Sequence, residues 1–438
     1  MLDKIISFQF GNLIKNKSIQ NFIFLGLIQS SNILISLVSM PLLIQGIGVD
    51  QFGLVNLALS VIILLNILVG FGFNLSGPRE VAINQKNKEN LSHLVSNIIF
   101  SKVALAFLGS LLILIAIYGF NLFKEYQIIL IYSMLLLFSE ATLPLWFFQG
   151  MERMKLISVA NIFSKLLYLL GIVLFIHQPE QAKWVNFILG GSGLFINLFV
   201  LIYVHFVLEI LFYKPKFKQI FQSLKENILL FLSNLTSHIS INGGLIILSF
   251  FANAETLGMF SLAERITMVL RLLPALIIQA VFPNASKKHL TDTHQFLRFL
   301  KKVYIWAIGL GLGLSLFTYF AAPFIVFALA KSHLEESVSY LRILSFVPFL
   351  ASLNIPNVLI LLVNDQKNLL FNSSWLMCLF MISISLILTT KFGGIGLCFA
   401  LLSTEVFIFI ICTLLIFLKN KDLFHGFKRT LIGSNHRD

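Results

Sequence analysis

The chain has 438 residues, of which 58% are hydrophobic and only 12% charged, with a formal net charge of +13. Its mean hydropathy is +0.91. A soluble domain carries about 25% charged residues, so a chain this apolar lacks the polar surface to stay dissolved, and a bilayer is the solvent that resolves the shortage.

At the N-terminus, Leu2, Ile5, Ile6, Leu13 and Ile14 have the spacing of a short interfacial helix. Lys15 and Lys17 then precede a long apolar run without a small-residue cleavage site, so the first span is expected to be uncleaved. A spanning helix needs about 20 mostly apolar residues. Such stretches run over 21–44, 52–73, 95–117, 126–148, 156–176 and 184–208, then 228–250, 261–282, 303–329, 338–363, 369–390 and 395–418. The expected fold is an all-α integral membrane protein of about twelve transmembrane helices in two six-helix lobes, residues 1–212 and 213–438. The longest loops, 74–93, 209–227 and 284–302, are too short to fold as domains.

Charge orients these spans. Of the 32 Lys and Arg residues, Lys102, Lys165, Arg265, Arg271 and Arg342 fall within spans, and only Lys124, Lys183, Lys331 and Lys391 fall in loops opposite the N-terminus. The other 23 lie on the N-terminal side, which places both termini in the cytoplasm by the positive-inside rule. The positive balance therefore reads as anchoring against anionic membrane lipid, with no nucleic acid implied. Cys378, Cys398 and Cys412 lie in apolar stretches without metal spacing and read as small packing residues.

The segment QFGLVNLALSV at Gln51–Val61 parallels TLGMFSLAERI at Thr256–Ile266, each entering the second helix of its half. Six helices per half give parallel repeats, which commonly enclose a site at mid-membrane.

Charged groups inside a bilayer cost about 2.5–3.5 kcal/mol each on insertion scales, so they mark places with a purpose. Arg271 lies about 15–18 Å from either end of the eighth span at 1.5 Å per residue. It either faces a hydrated cavity and meets an anionic substrate, or binds helix carbonyls or a buried carboxylate to hold the bundle. Pro274, one turn on, is a place for the helix to open. Asn234, His238 and Asn242 recur at four-residue intervals and share a helix face, which serves equally as a polar cavity wall or as interhelical glue. Gln29, Asn32, Ser36 and Ser39 form a similar stripe in the first span. Glu140 and Lys165 sit at matching depths on the hairpin of spans four and five and are expected to pair, as a structural brace or as a titratable couple. Lys102 and Arg342 lie near span ends, where snorkelling accounts for them. Glu264 and Arg265 lie near the outer mouth of the eighth span, and Glu405 stands alone in the twelfth.

The sequence has no phosphate-binding G-x-x-x-x-G-K-[ST] loop, no H-E-x-x-H or G-x-S-x-G motif, and no metal-ligand cluster. Neither an enzyme, a metal nor a cofactor is expected. A membrane polymerase or glycosyltransferase would need a large outer loop, and the outer loops are about ten residues long.

Four segments carry a family resemblance: GFGFNLSGPREVA at Gly70–Ala82, PLWFFQGMERM at Pro144–Met154, SNLTSHISINGGLIILSFFANAETLGMFSLAERI at Ser233–Ile266, and QAVFPNASK at Gln279–Lys287. They resemble the O-antigen flippases of the polysaccharide-transporter family, relatives of MATE-type multidrug extruders and of the flippase for the peptidoglycan lipid precursor. The resemblance implies a V-shaped pair of lobes around a cationic cavity, lined by helices one, two, seven and eight. It makes Arg79, Glu80, His238, Arg265 and Arg271 the matching candidates, with Asn32, Asn234 and Asn242 as polar lining. It further implies translocation of undecaprenyl-diphosphate-linked oligosaccharide across a bacterial inner membrane for O-antigen or capsular polysaccharide assembly, alongside a polysaccharide polymerase and a chain-length regulator. Some MATE proteins couple to protons or sodium through a carboxylate in the first helix. Here that helix offers Gln29 and Asn32, so Glu140 with Lys165, His238, Glu264 and Glu405 are the coupling candidates. A drug extruder on the same fold is the alternative.

Overall fold

The computed structural model describes residues 17–432, and the amphipathic segment expected over residues 2–14 lies outside the described residues. Among the described residues all regular structure is helical. Each of the twelve apolar stretches is helical over most of its length, and among the described residues nine continuous stretches are long and apolar enough to cross a membrane. Contacts divide the chain into two compact units, residues 1–235 and 236–438.

The first unit opens with α1 (Lys17–Gly70), two helices joined at Gly48, whose φ of 83° lies in the left-handed region open to glycine. There follow α2 (Phe73–Asn84), α3 (Lys88–Leu114), α4 (Gln127–Ser133), α5 (Leu135–Thr142), α6 (Leu145–Gly150), α7 (Met154–Phe175), α8 (Ala182–Phe206) and α9 (Phe217–Asn242). The contact boundary falls inside α9, later than the loop boundary expected at residue 212. The first half of α9 packs on this unit: Phe231 stacks on Phe71 with ring centroids 4.5 Å apart, and Asn97 Nδ2 donates to Ser223 Oγ at 2.5 Å.

Two of the resemblance-bearing segments turn out to be packing partners. The small α2 lies against α6. A Cβ on Gly77 would stand 3.0 Å from the Trp146 ring. One on Gly150 would stand 2.5 Å from the Pro78 carbonyl oxygen and 2.6 Å from Val81 Cβ. Phe73, Val81, Trp146, Phe147 and Phe148 are all buried in one cluster. The glycines therefore set the helix separation, and the aromatic run fills the core beside it. The non-helical chain after α8 is fastened to α3: Leu211 N donates to Ser92 Oγ at 3.0 Å and Tyr213 N to Ser96 Oγ at 2.9 Å. These bonds supply partners for backbone groups that no helix satisfies. Lys88 pairs with Glu209 on the same segment and holds its carboxyl below the usual range, but both side chains are largely exposed, so the pair adds little stability.

The second unit contains α10 (Gly244–Leu248), α11 (Ala254–Thr291), α12 (Thr293–Ala330), α13 (Glu335–Leu344), α14 (Val347–Leu353), α15 (Ile355–Val363), α16 (Lys367–Lys419) and α17 (Lys421–Ile432). Gly393, with φ 57°, joins the two helices of α16. The amphipathic α17 seats Leu423, Phe424 and Phe427 on the core, and Lys301 Nζ donates to the Thr430 carbonyl at 2.7 Å.

The two units share details that the short sequence repeat only hints at. In each, the fourth apolar stretch is broken twice: α4, α5 and α6 in the first unit, α13, α14 and α15 in the second. Leu143, ahead of Pro144, is extended, as the residue before proline prefers, and Pro348 and Pro356 start α14 and α15 where a missing N–H costs nothing. Each unit also has a cleft at corresponding helix ends. One is lined by Gln51, Tyr126 and Lys183, the other by Thr256, Tyr340 and Ile395. Gln51 and Thr256 are the first residues of the repeated segment. Large aromatic side chains, among them Phe163, Phe199, Phe206, Phe317, Phe320 and Phe324, stay exposed on the helix surfaces, as suits contact with acyl chains.

Gly150→Val is expected to cost about 1–3 kcal/mol by overpacking, because backbone and a helix-borne Val81 stand in the way. A thermal-shift series on the detergent-solubilised protein, read by size-exclusion chromatography, should show a lowered midpoint. An unchanged midpoint would mean that α2 and α6 do not pack this closely.

Candidate functional site

Among the described residues, the buried carboxylates of the second unit are Glu264 on α11 and Glu405 on the second half of α16. Arg271 Nη2 donates to Glu405 Oε1 in an ion pair that links residues 134 apart in sequence. This corrects the expectation that Glu405 stands alone. The Arg271 side chain keeps 18% of its surface exposed, against 6% for Glu405. Its other guanidinium nitrogens make no hydrogen bond among the described residues. Two turns earlier on the same helix face, Glu264 is buried, and its Oε1 has no hydrogen-bond partner among the described residues. Glu264 lies within electrostatic reach of Arg265, Arg271 and Cys398. Cys398 is two turns before Glu405 on α16, so the spacing of Glu264 and Arg271 on α11 matches that of Cys398 and Glu405 on α16. The helix does not open at Pro274: α11 runs unbroken through Pro274 and Pro283.

In the first unit, Lys102 Nζ stands 3.3 Å from Glu140 Oε1. Lys102 has no exposed side-chain surface, while Glu140 keeps 22%. Lys102 is therefore not a snorkelling residue, and Glu140 draws a partner from α3 that hairpin reasoning did not foresee. Lys165, on α7, is half-buried and has interactions of its own. Around the pair the helices approach closely. Asn197 Nδ2 donates to the Ser139 carbonyl at 2.8 Å, and a Cβ on Gly193 would stand 2.2 Å from Ser139 Oγ.

The remaining candidates are dispersed. His238 is exposed on α9, and Asn242 Nδ2 reaches its carbonyl at 3.3 Å and its Nδ1 at 3.4 Å, so the shared face expected from their spacing exists. Asn234 is half-buried on the same helix. Asn32, on α1, has a buried Oδ1 with no hydrogen-bond partner among the described residues. Arg79 is exposed on α2 with Glu80 beside it. Arg342 is exposed and lies over the Tyr319 ring at 5.5 Å, consistent with a span-end residue. Among the described residues no group of three or more His, Cys, Asp or Glu side chains is placed to hold a metal ion.

The family described as polysaccharide biosynthesis protein matches residues 18–289. A relative from Escherichia coli (strain K12) is 26% identical over 412 residues, covering 92% of this chain and 97% of its own length. Another from Shigella dysenteriae is 25% identical, covering 89% and 97%. Both carry the name "Putative O-antigen transporter". Two solved structures superpose with a TM-score of 0.69. One is an inward-facing multidrug resistance MATE family transporter of the MOP superfamily, at 14% identity, covering 94% of this chain and 99% of that one. The other is the lipid II flippase MurJ in an inward closed conformation, at 15% identity, covering 95% and 94%. At such identities the likeness shows the fold, which is the MATE-like helical membrane fold expected from the sequence.

Lys102→Met leaves Glu140 without its cation, and the loss should be about 3 kcal/mol, at the low end of the range for a broken buried pair because Glu140 keeps some exposure. The double variant Lys102→Met with Glu140→Leu should recover most of that loss in the same thermal assay. A double variant no more stable than the single one would show that the two side chains do not depend on each other.

Proposed function

Because the chain belongs to the polysaccharide biosynthesis protein family, we propose that it is a flippase for lipid-linked oligosaccharide in a bacterial inner membrane. It is a transporter and not an enzyme, as the names of its relatives indicate. The substrate of this reading is an oligosaccharide repeat unit on undecaprenyl diphosphate, moved from the cytoplasmic to the periplasmic leaflet for O-antigen or capsular polysaccharide assembly.

The observation that carries the reading is Arg271: a guanidinium at mid-span, joined to one carboxylate, with the rest of its fork unpaired and part of its surface open. A planar fork of N–H donors fits the paired oxygens of a phosphate better than it fits most drug-like cations. Arg79 and Arg265 are further basic groups for the diphosphate, and Asn32, Asn234, His238 and Asn242 supply hydrogen bonds suited to sugar hydroxyls. The chain crosses the membrane twelve times in this reading, with both termini in the cytoplasm, and works by alternating access. Glu264, a buried carboxyl with an unpartnered oxygen, is the foremost group for coupling to protons or sodium, ahead of Glu405. Glu140 belongs to the brace with Lys102. A polymerase and a chain-length regulator are the expected partners downstream. The fold is shared by a multidrug transporter and a lipid flippase, and the names of the relatives favour the polysaccharide substrate class.

In a deletion strain, a lipid-linked glycan should accumulate in the cytoplasmic leaflet and surface polymer should disappear. Arg271→Ala should fail to restore the polymer although the protein inserts at wild-type level. Full restoration by that variant would remove Arg271 from the substrate path, and altered drug tolerance with normal polymer would favour an extruder. Reporter fusions at Asn90 and Lys288 should report cytoplasm and one at Lys183 the periplasm; the reverse pattern would refute the orientation.

A further inference from the structure

We propose that Glu405 is a built-in competitor for the diphosphate, occupying Arg271 when no substrate is bound and yielding it when a diphosphate arrives. This rests on reading Arg271 as a diphosphate anchor, and it adds a role for a residue on a different helix.

Three observations carry it. The carboxylate takes one guanidinium nitrogen, Nη2, and leaves the other nitrogens without hydrogen bonds among the described residues. Half of a bidentate site is thus filled and half is free, so an incoming diphosphate can engage the guanidinium before the carboxylate lets go. The pair is also lopsided: Arg271 is the more exposed member at 18%, and Glu405 the more buried at 6%. A ligand approaching the accessible side meets the cation first. Finally, the Glu264 carboxyl lies within electrostatic reach of the same guanidinium without bonding to it, so the arginine sits in a site that already holds a second acidic group. The diphosphate replaces Glu405 as the partner of the cation, so the guanidinium is not left bare during the exchange.

The physical consequence concerns the empty protein. An unpaired guanidinium at mid-span would carry the full cost of a bare charge in a low-dielectric setting. Glu405 removes that cost whenever the substrate is absent, and in return it weakens substrate binding. Affinity for a diphosphate is then a difference between two anions competing for one fork.

The test uses the full chain in lipid nanodiscs and measures binding of farnesyl diphosphate, with farnesyl monophosphate and inorganic pyrophosphate as comparison probes. Glu405→Gln should bind farnesyl diphosphate about tenfold more tightly than wild type, as expected for relief of a competing close charge. Arg271→Gln should bind it weakly. Arg271→Gln combined with Glu405→Gln should match Arg271→Gln alone, because Glu405 acts only through the arginine. If Arg271→Gln weakens binding but Glu405→Gln does not tighten it, Glu405 is a brace and the competitor role is overturned while the diphosphate reading stands. If Arg271→Gln binds like wild type, the anchor reading itself fails. Farnesyl diphosphate binding no better than inorganic pyrophosphate would overturn the lipid-linked source. Should Glu405→Gln not fold, Glu405→Asp keeps the charge on a shorter arm, and a gain of about threefold supports competition whereas no gain refutes it.

Discussion

A guanidinium in the middle of an apolar helix has to be satisfied before anything else about the helix can be settled. Arg271 meets that requirement through Glu405. The bond fixes the rotation of α11 and its register against the second half of α16, since a shift by one residue on either helix would turn a charge toward lipid. Glu264 and Cys398, each seven residues earlier, then come within electrostatic reach of one another two turns away, as 3.6 residues per turn dictate. Arg265 adds a second cation beside Glu264, so two acids and two bases occupy one seam. Burial of such groups is weak evidence for stability, because hydrophobic replacements usually do as well. Their presence is better explained by the work they do.

The two units solve the same problem with opposite polarity. In the first, the lysine is wholly buried and the carboxylate keeps some surface. In the second, the arginine keeps surface and the carboxylate is nearly sealed. What a ligand can reach therefore differs in sign. The first pair presents negative charge and would repel a diphosphate, while the second presents a half-used cationic fork. This contrast supports placing the proposed diphosphate site on α11 and treating Lys102 and Glu140 as a brace.

Much of the fold was legible because a bilayer permits few ways to satisfy backbone groups, so apolar length translates directly into helices. The segments around Gly77 and Gly150 were legible as motifs but not as partners, since nothing in a linear sequence says that two glycine-bearing turns will touch. Charge pairing was the least legible feature. Matching depths on a hairpin pointed Glu140 toward Lys165, and depth alone cannot choose among several neighbouring helices. Lys102 took that place from a different helix. Glu405 looked solitary because its partner is 134 residues away on a parallel helix. The depth of Arg271 was the one usable clue, since it requires a carboxylate or water nearby.

The internal repeat sharpens what counts as functional. Both units break their fourth apolar stretch at corresponding places and open a cleft where the repeated segment begins. Such shared features belong to the scaffold, because they survive in two copies that have otherwise diverged. Arg271 falls in the same helix as Thr256–Ile266, after that segment, and the corresponding stretch after Gln51–Val61 carries Asn66 and no charge until Arg79, beyond the helix end. A feature present in one copy at a cost of several kcal/mol is not demanded by the fold. Repetition thus separates what holds the helices together from what the protein adds to them, and the pair of Arg271 with Glu405 falls in the second class.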